Sequence, residues 1–213
     1  MLHEFAQQVE ETARAVVNEI HTAIPGTIVS FDPVKGTALV KPNGKYITSD
    51  GILLDYPQIP EIPVVFPFCE TQEIGMAFPV EKGDSCLLIV SEVELDEWLT
   101  GAEAEGSLKF DLTNSICIPG PMKHGGGIIE EACREKSVII GNEANKIKVN
   151  RNKINMVSGR TQISLSEAGV SINGSLTVEG NIISTNSVKA GNIDLKSHVH
   201  RSSEPGSNTG YPE

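Results

Sequence analysis

The sequence predicts an all-β protein with a short N-terminal helix, in which a β-barrel is followed by a slim shaft built by several chains together. Three observations carry this. Apolar residues recur at helical spacing over the first 23 residues. Ten of the 12 prolines lie between Pro25 and Pro121, among short β-branched runs. From Asp111 to Gly210 there is no Phe, Tyr or Trp, yet strand-like alternation persists.

Residues 1–23 form the first element. Leu2, Phe5, Val9, Ala13, Val16 and Ile20 recur every three or four positions, the spacing of one helix face. Glu10, Glu11, Arg14 and Glu19 fall between them. The helix is expected to end at Ile24-Pro25-Gly26, because the residue before a proline avoids the helical region. Such a helix packs on its own domain, bundles with copies of itself, or docks onto a larger assembly.

Residues 24–122 read as a small β-barrel. "GTIVSFD", "GTALVKP" and "DSCLLIV" are β-branched runs bounded by Gly, Pro and Asp. Many short strands with frequent turn signals suit a barrel. "SEVELDEWLTG" reads as one short helical turn, with Trp98 expected in the core. A linker at 123–136 follows, and its Glu130, Glu131 and Glu135 read as a solvated face.

Residues 137–197 form the shaft. In "KIKVN", Ile147 and Val149 share one face, and Lys146 and Lys148 the other. Ile163, Leu165, Val170, Ile172, Leu176 and Val178 are expected to face one way, with turns at Gly169, Asn173-Gly174, Gly180-Asn181 and Gly191-Asn192. A domain of this size without aromatics lacks the volume to fill a globular centre. A thin core solves the problem, either in a stacked solenoid or in three intertwined chains. No strict hexapeptide period is present, which favours the trimer.

Composition excludes several functions. Lys+Arg 17 against Asp+Glu 28 gives a net charge of -11, which offers no footprint for nucleic acid or anionic lipid. The basic stretch "GNEANKIKVNRNK" lacks interleaved aromatics and reads as a solvated strand face. No apolar run reaches membrane-spanning length, and the first 23 residues lack the apolar centre of a signal peptide. Synthesis in the cytoplasm without Sec export is the expectation. Cys69, Cys86, Cys117 and Cys133 form no C-x-x-C pair and read as buried, reduced thiols. No G-x-S-x-G nucleophile motif accompanies the HGGG at His124 to Gly127, which reads as a hinge. His3 and His21 read as incidental.

"IPGTIVSFDPVKGTALVKP", "IPEIPVVFP", "FPVEKGDSCLLIVSEVELDEWL" and "FDLTNSICIPGP" together resemble the N-terminal domain of the central spike proteins of contractile phage tails and related bacteriocins. The order Phe78-Pro79, Gly83-Asp84, Leu87-Leu88, Ser91, Leu95-Asp96 and Trp98 is its most specific part. The resemblance covers about half the chain, and the β-rich remainder ending in H-x-H follows the same layout. It implies an OB-fold-type barrel, then an intertwined trimeric β-helix or β-prism shaft. It implies a tip at 198–213 where His198 and His200 of three chains hold one iron ion through six imidazoles. The segment between barrel and shaft is too short for the lysozyme domain that some large spikes carry. In an extended strand, residues i and i+2 point to the same side, roughly 6.6 Å apart. Both rings can then turn to one axis, and six nitrogens suit an octahedral ion.

The expected function is therefore mechanical, with no catalysis. A homotrimer would attach through barrel and helix to baseplate hub or tail-tube-end proteins, enter the virion or tail-like particle, and puncture the target cell envelope. A β-solenoid acyltransferase and a receptor-binding fibre tip are the alternatives. The first lacks a hexapeptide period. The second lacks exposed aromatics near the end, where only Tyr211 is available.

Overall fold

The computed structural model describes residues 2–18, 20–48, 50–103, 108–120 and 126–199. It divides into two units, residues 1–125 and 126–213. The first carries α1 (Leu2–Asn18), β1 (Ala23–Asp32), β2 (Thr37–Pro42), β3 (Lys45–Ile47), β4 (Leu53–Asp55), β5 (Ile59–Pro63), β6 (Phe68–Cys69), β7 (Ile74–Gly75), β8 (Ser85–Val90), α2 (Leu95–Leu99) and β9 (Ser115–Pro119). The second carries α3 (Gly127–Glu135), β10 (Val138–Gly141), β11 (Asn145–Val149), β12 (Lys153–Ser158), β13 (Thr161–Ser166), β14 (Gly169–Asn173), β15 (Lys189–Ala190) and β16 (Ile193–Asp194).

In the first unit five antiparallel strands run in the order β5-β2-β1-β8-β9. The sheet curls until its edges meet. Val64, just past β5, bridges Cys117 of β9 in parallel sense, and the Val65 N–H donates to the Cys117 carbonyl at 2.9 Å. The three sequence runs named above supply β1, β2 and β8. Their inward positions, Ile28, Ala38, Val40, Cys86 and Leu88, join Ile59, Ile62, Val80, Leu112 and Cys117 in one buried core. Phe66 makes edge-on contacts with Phe31 at 6.4 Å and Phe78 at 5.2 Å beside that core. Gly26 has a packing reason. A Cβ there would lie 2.7 Å from Val40 Cγ1 and 3.0 Å from Cys86 Sγ, so the strands cross closely only over glycine.

Several details differ from expectation. The helix ends at Asn18, and Ile24, Pro25 and Gly26 lie inside β1. Pro25 is tolerated because β2 pairs with β1 only from Gly26 onward. The short turn is helical, as α2, but Trp98 is 64% exposed and no α2 residue is buried. Strand alternation does not reach α2, and none of its residues joins the buried core. Buried Asn114 organises this corner instead. Its Oδ1 accepts from the Leu95 N–H at 2.9 Å, and its Nδ2 donates to the carbonyls of Ser91, Val93 and Leu108 at 3.2, 2.8 and 3.2 Å. Cys86 and Cys117 are buried, but Cys69 and Cys133 are exposed, and all four are free.

The second unit is a five-stranded antiparallel meander, β10 to β14 in sequence order. Its hairpins follow from local chemistry. Asn142 Oδ1 accepts from the Ala144 and Asn145 N–H groups, and Asn150 Oδ1 from those of Asn152 and Lys153. Helix α3 falls inside the segment expected as a linker. Leu176 and Val178 lie outside any strand, and beyond β14 only the small β15–β16 hairpin is paired among the described residues.

Candidate functional site

The sheet β10–β14 has two unlike faces, and pairing register defines both. Ile140, Ile147, Met156, Ile163 and Ile172 are directly opposite one another across the five strands. Val138, Val149, Ile154, Leu165 and Val170 form a second row. Both rows lie on one face, because i and i+2 share a side. Ten aliphatic side chains thus cover that face from edge to edge. Ile163 is partly buried and the other nine are exposed.

The opposite face carries Lys146, Lys148, Asn155, Gln162 and Ser164, and α3 is tied to it. Lys146 Nζ donates to Glu131 Oε2, and Lys148 Nζ donates to Glu131 Oε1 at 3.2 Å and Glu135 Oε2 at 2.8 Å. The side chains of Lys146 and Lys148 are only 11% and 14% exposed, whereas Ile147 and Val149 are 39% and 41% exposed. The hydrogen bond from Lys146, followed by that from Lys148, holds the Glu131 carboxyl below the usual range. The hydrogen bond to Glu135 holds Lys148 above its own. Glu131, Glu135 and the two lysines are therefore a clamp and not solvated faces. Glu130 points away and is exposed, as expected. The spacing was present in the sequence: Glu131 and Glu135 are four apart on a helix, and Lys146 and Lys148 two apart on a strand.

The predicted metal ligands are placed only in part. His198 follows a turn, not a strand. Its N–H donates to the Asp194 carbonyl at 2.9 Å, and its Nδ1 lies 3.2 Å from the Leu195 carbonyl oxygen. A proton on Nδ1 makes that contact a hydrogen bond and puts the lone pair on Nε2, the arrangement of a metal-ligating imidazole. His200 and the rest of 198–213 beyond Val199 lie outside the described residues. Among the described residues no three metal-ligating side chains converge.

His21, read as incidental, is an anchor. Its N–H donates to the Phe110 carbonyl at 3.3 Å, and its ring meets Tyr56 edge-on at 5.7 Å. The hydrogen bond with Cys86, together with burial, pushes the Cys117 thiol up, and both thiols lie in the barrel core. No described helix is long and apolar enough to cross a membrane.

The curled sheet and its closing bridge lie within the segment for which a known domain family has a counterpart. Residues 24–120 match the phage protein Gp138 N-terminal domain. The barrel is thus similar to a domain of a phage baseplate and spike family, which is the resemblance read from the sequence, and the match supports a phage tail spike-type protein. Among curated proteins, none matches the chain.

Proposed function

We propose that this protein is the trimeric central spike of a contractile injection machine, either a phage tail or a tail-like bacteriocin, and that it punctures the target envelope by force alone. The observation that carries the reading is the aliphatic face of β10–β14. Covering ten half-exposed aliphatic side chains is worth on the order of 10 kcal/mol per chain before ordering costs. Three such sheets, apolar faces inward, make the sides of a triangular prism with a thin dry core. The clamp supports this orientation, because α3 then braces the outward face of each side. Small aliphatics keep the prism slim, and hydrogen-bonded strands make it stiff. The barrel, as an OB-type fold, and α1 attach to the hub or tube end.

The tip completes the point. The site fits a metal to the extent that His198 presents an imidazole whose Nδ1 faces a carbonyl. With His200, three chains supply six nitrogen donors, which suits an octahedral ion, and iron is the choice the family resemblance implies. The ion would hold together strand ends that otherwise fray. A solenoid acyltransferase needs parallel coils, whereas every pairing from β10 to β14 is antiparallel.

One preparation tests the reading. Light scattering should give three times the 22.8 kDa chain mass, with about one metal ion per three chains. His198→Ala with His200→Ala should abolish the metal. Particles carrying a chain without residues 137–213 should assemble and contract but fail to permeabilise cells. A stable monomer, or full activity without residues 137–213, overturns the proposal. Trimers without metal overturn only the tip.

A further inference from the structure

Every described side chain of α1 from His3 to Val17 is exposed. Phe5, Val9, Thr12, Ala13, Val16 and Val17 nevertheless line one shallow groove along the helix. Glu4, Glu11 and the Glu10–Arg14 pair lie on the other side. A 17-residue helix without tertiary packing is marginal in water, so this stripe needs cover.

We infer that α1 associates with the α1 helices of the other copies of this chain, parallel and in register, as a three-helix stalk ahead of the barrel. The inference rests on the trimeric reading above. Three features name copies of the chain as the occupant. The stripe recurs at 5, 9, 12 or 13, and 16, the alternating three- and four-residue spacing by which like helices pack along a common seam. Thr12 and Ala13 make its middle narrow, so backbones can approach there. The seam contains no charged side chain, and the outer face carries Glu4, Glu10 and Glu11 against Arg14. Identical helices meeting parallel and in register through any other face would oppose like charges, so only the seam allows that arrangement.

The attachment of the helix gives direction. The Ile20 N–H donates to the Val17 carbonyl at 3.2 Å, closing the last turn. His21, one residue on, is pinned to Phe110 and Tyr56. Helix and barrel are joined over so few residues that three barrels set around one axis bring their helices side by side, all pointing the same way. The stalk would thus set the register of the chains on the N-terminal side of the barrel.

Disulfide trapping in the full chain tests this. In a Cys69→Ser, Cys133→Ser background, Val9→Cys and Val16→Cys place thiols on the seam. Glu11→Cys places one roughly 160° around the helix from Val9. A copper–phenanthroline oxidant removes two electrons and two protons from a pair of thiols to form each disulfide. Both seam variants should give covalent dimers on a non-reducing gel, approaching about two thirds of the chains because the third thiol of a trimer has no partner. Glu11→Cys should stay monomeric on the gel. Cross-linking at Glu11 equal to that at Val9 overturns the stalk. So does no cross-linking at either seam position in a sample that scatters as a trimer, and then the trimeric reading stands with α1 covered by another tail protein. A monomeric parent overturns both.

Discussion

The two five-stranded sheets of the described residues are built from the same alternation and end in opposite states. In β5-β2-β1-β8-β9 the apolar side is closed by the chain itself: the edges meet at Val64 and Cys117, and Phe31, Phe66 and Phe78 fill space beside the core. In β10–β14 the apolar side is left open, and the polar side is the one that is covered. Strand periodicity does not distinguish these outcomes. Large side chains and a bridge between edges do, and the second sheet lacks both. A sheet closed on itself around aromatics can be complete alone, whereas a meander of Ile, Val and Leu leaves an apolar face still to be covered.

Breaking each face should therefore have a different signature. The largest effect is expected from Ile172→Asp. In the assembled prism it would bury three unpaired carboxylates, each costing roughly 3 kcal/mol or more. Light scattering should show dissociation, while the barrel's thermal transition persists. Trimers that melt like the parent would place Ile172 on the outside. Next comes Leu88→Ala, at a side chain 0% exposed in the barrel core. It should cost about 2–5 kcal/mol, and, unlike Ile172→Asp, by the same amount at any protein concentration in a barrel fragment that is monomeric. Asn114→Ala ranks third. It strands the Leu95 N–H and three carbonyls beneath α2, for about 1–3 kcal/mol in chemical denaturation. A cost as large as that of Leu88→Ala would mean that α2 and not the sheet holds this corner.

The barrel was legible because its strands carry both period and punctuation. "GTIVSFD", "GTALVKP" and "DSCLLIV" became β1, β2 and β8 nearly residue for residue. The face shared by Ile147, Val149, Ile163, Leu165, Val170 and Ile172 was legible for the same reason. What covers a face was not. Lys146 and Lys148 look solvated in sequence because their partners, Glu131 and Glu135, lie in a stretch whose three glycines suggested a hinge. Trp98 looked like core because large aromatics usually are, but a five-residue helix at a corner has nothing to bury it against. Leu176 and Val178 continue the alternation with no strand to pair them. The metal tip was read from a resemblance and from two residues, of which only His198 is among those described.

The smallest effect should come from the clamp, and it sharpens the comparison by testing the covered face. Glu131 is held below the ordinary glutamate range, so its contribution is complete above roughly pH 4.3. It is lost as pH falls through the lower folded-state value. Lys148 is held above the ordinary lysine range, so its contribution is complete below roughly pH 10.4 and is lost only as pH rises beyond it. The tie between α3 and the sheet should then be constant across the neutral range and loosen in acid first. Glu131→Gln keeps the shape but removes the charge that Lys146 and Lys148 share. Amide hydrogen exchange at pH 7 should speed up in α3, with β11 to β13 protected as in the parent. Lowering the parent below pH 4 should reduce the protection of α3, measured against the intrinsic exchange rate at the same pH, toward that of the variant, while in Glu131→Gln the same change should have a smaller effect. If α3 exchanges equally slowly in both proteins at pH 7, Ile128 and Ala132 hold it by apolar contact, and the polar face of the sheet is covered for the ordinary reason after all.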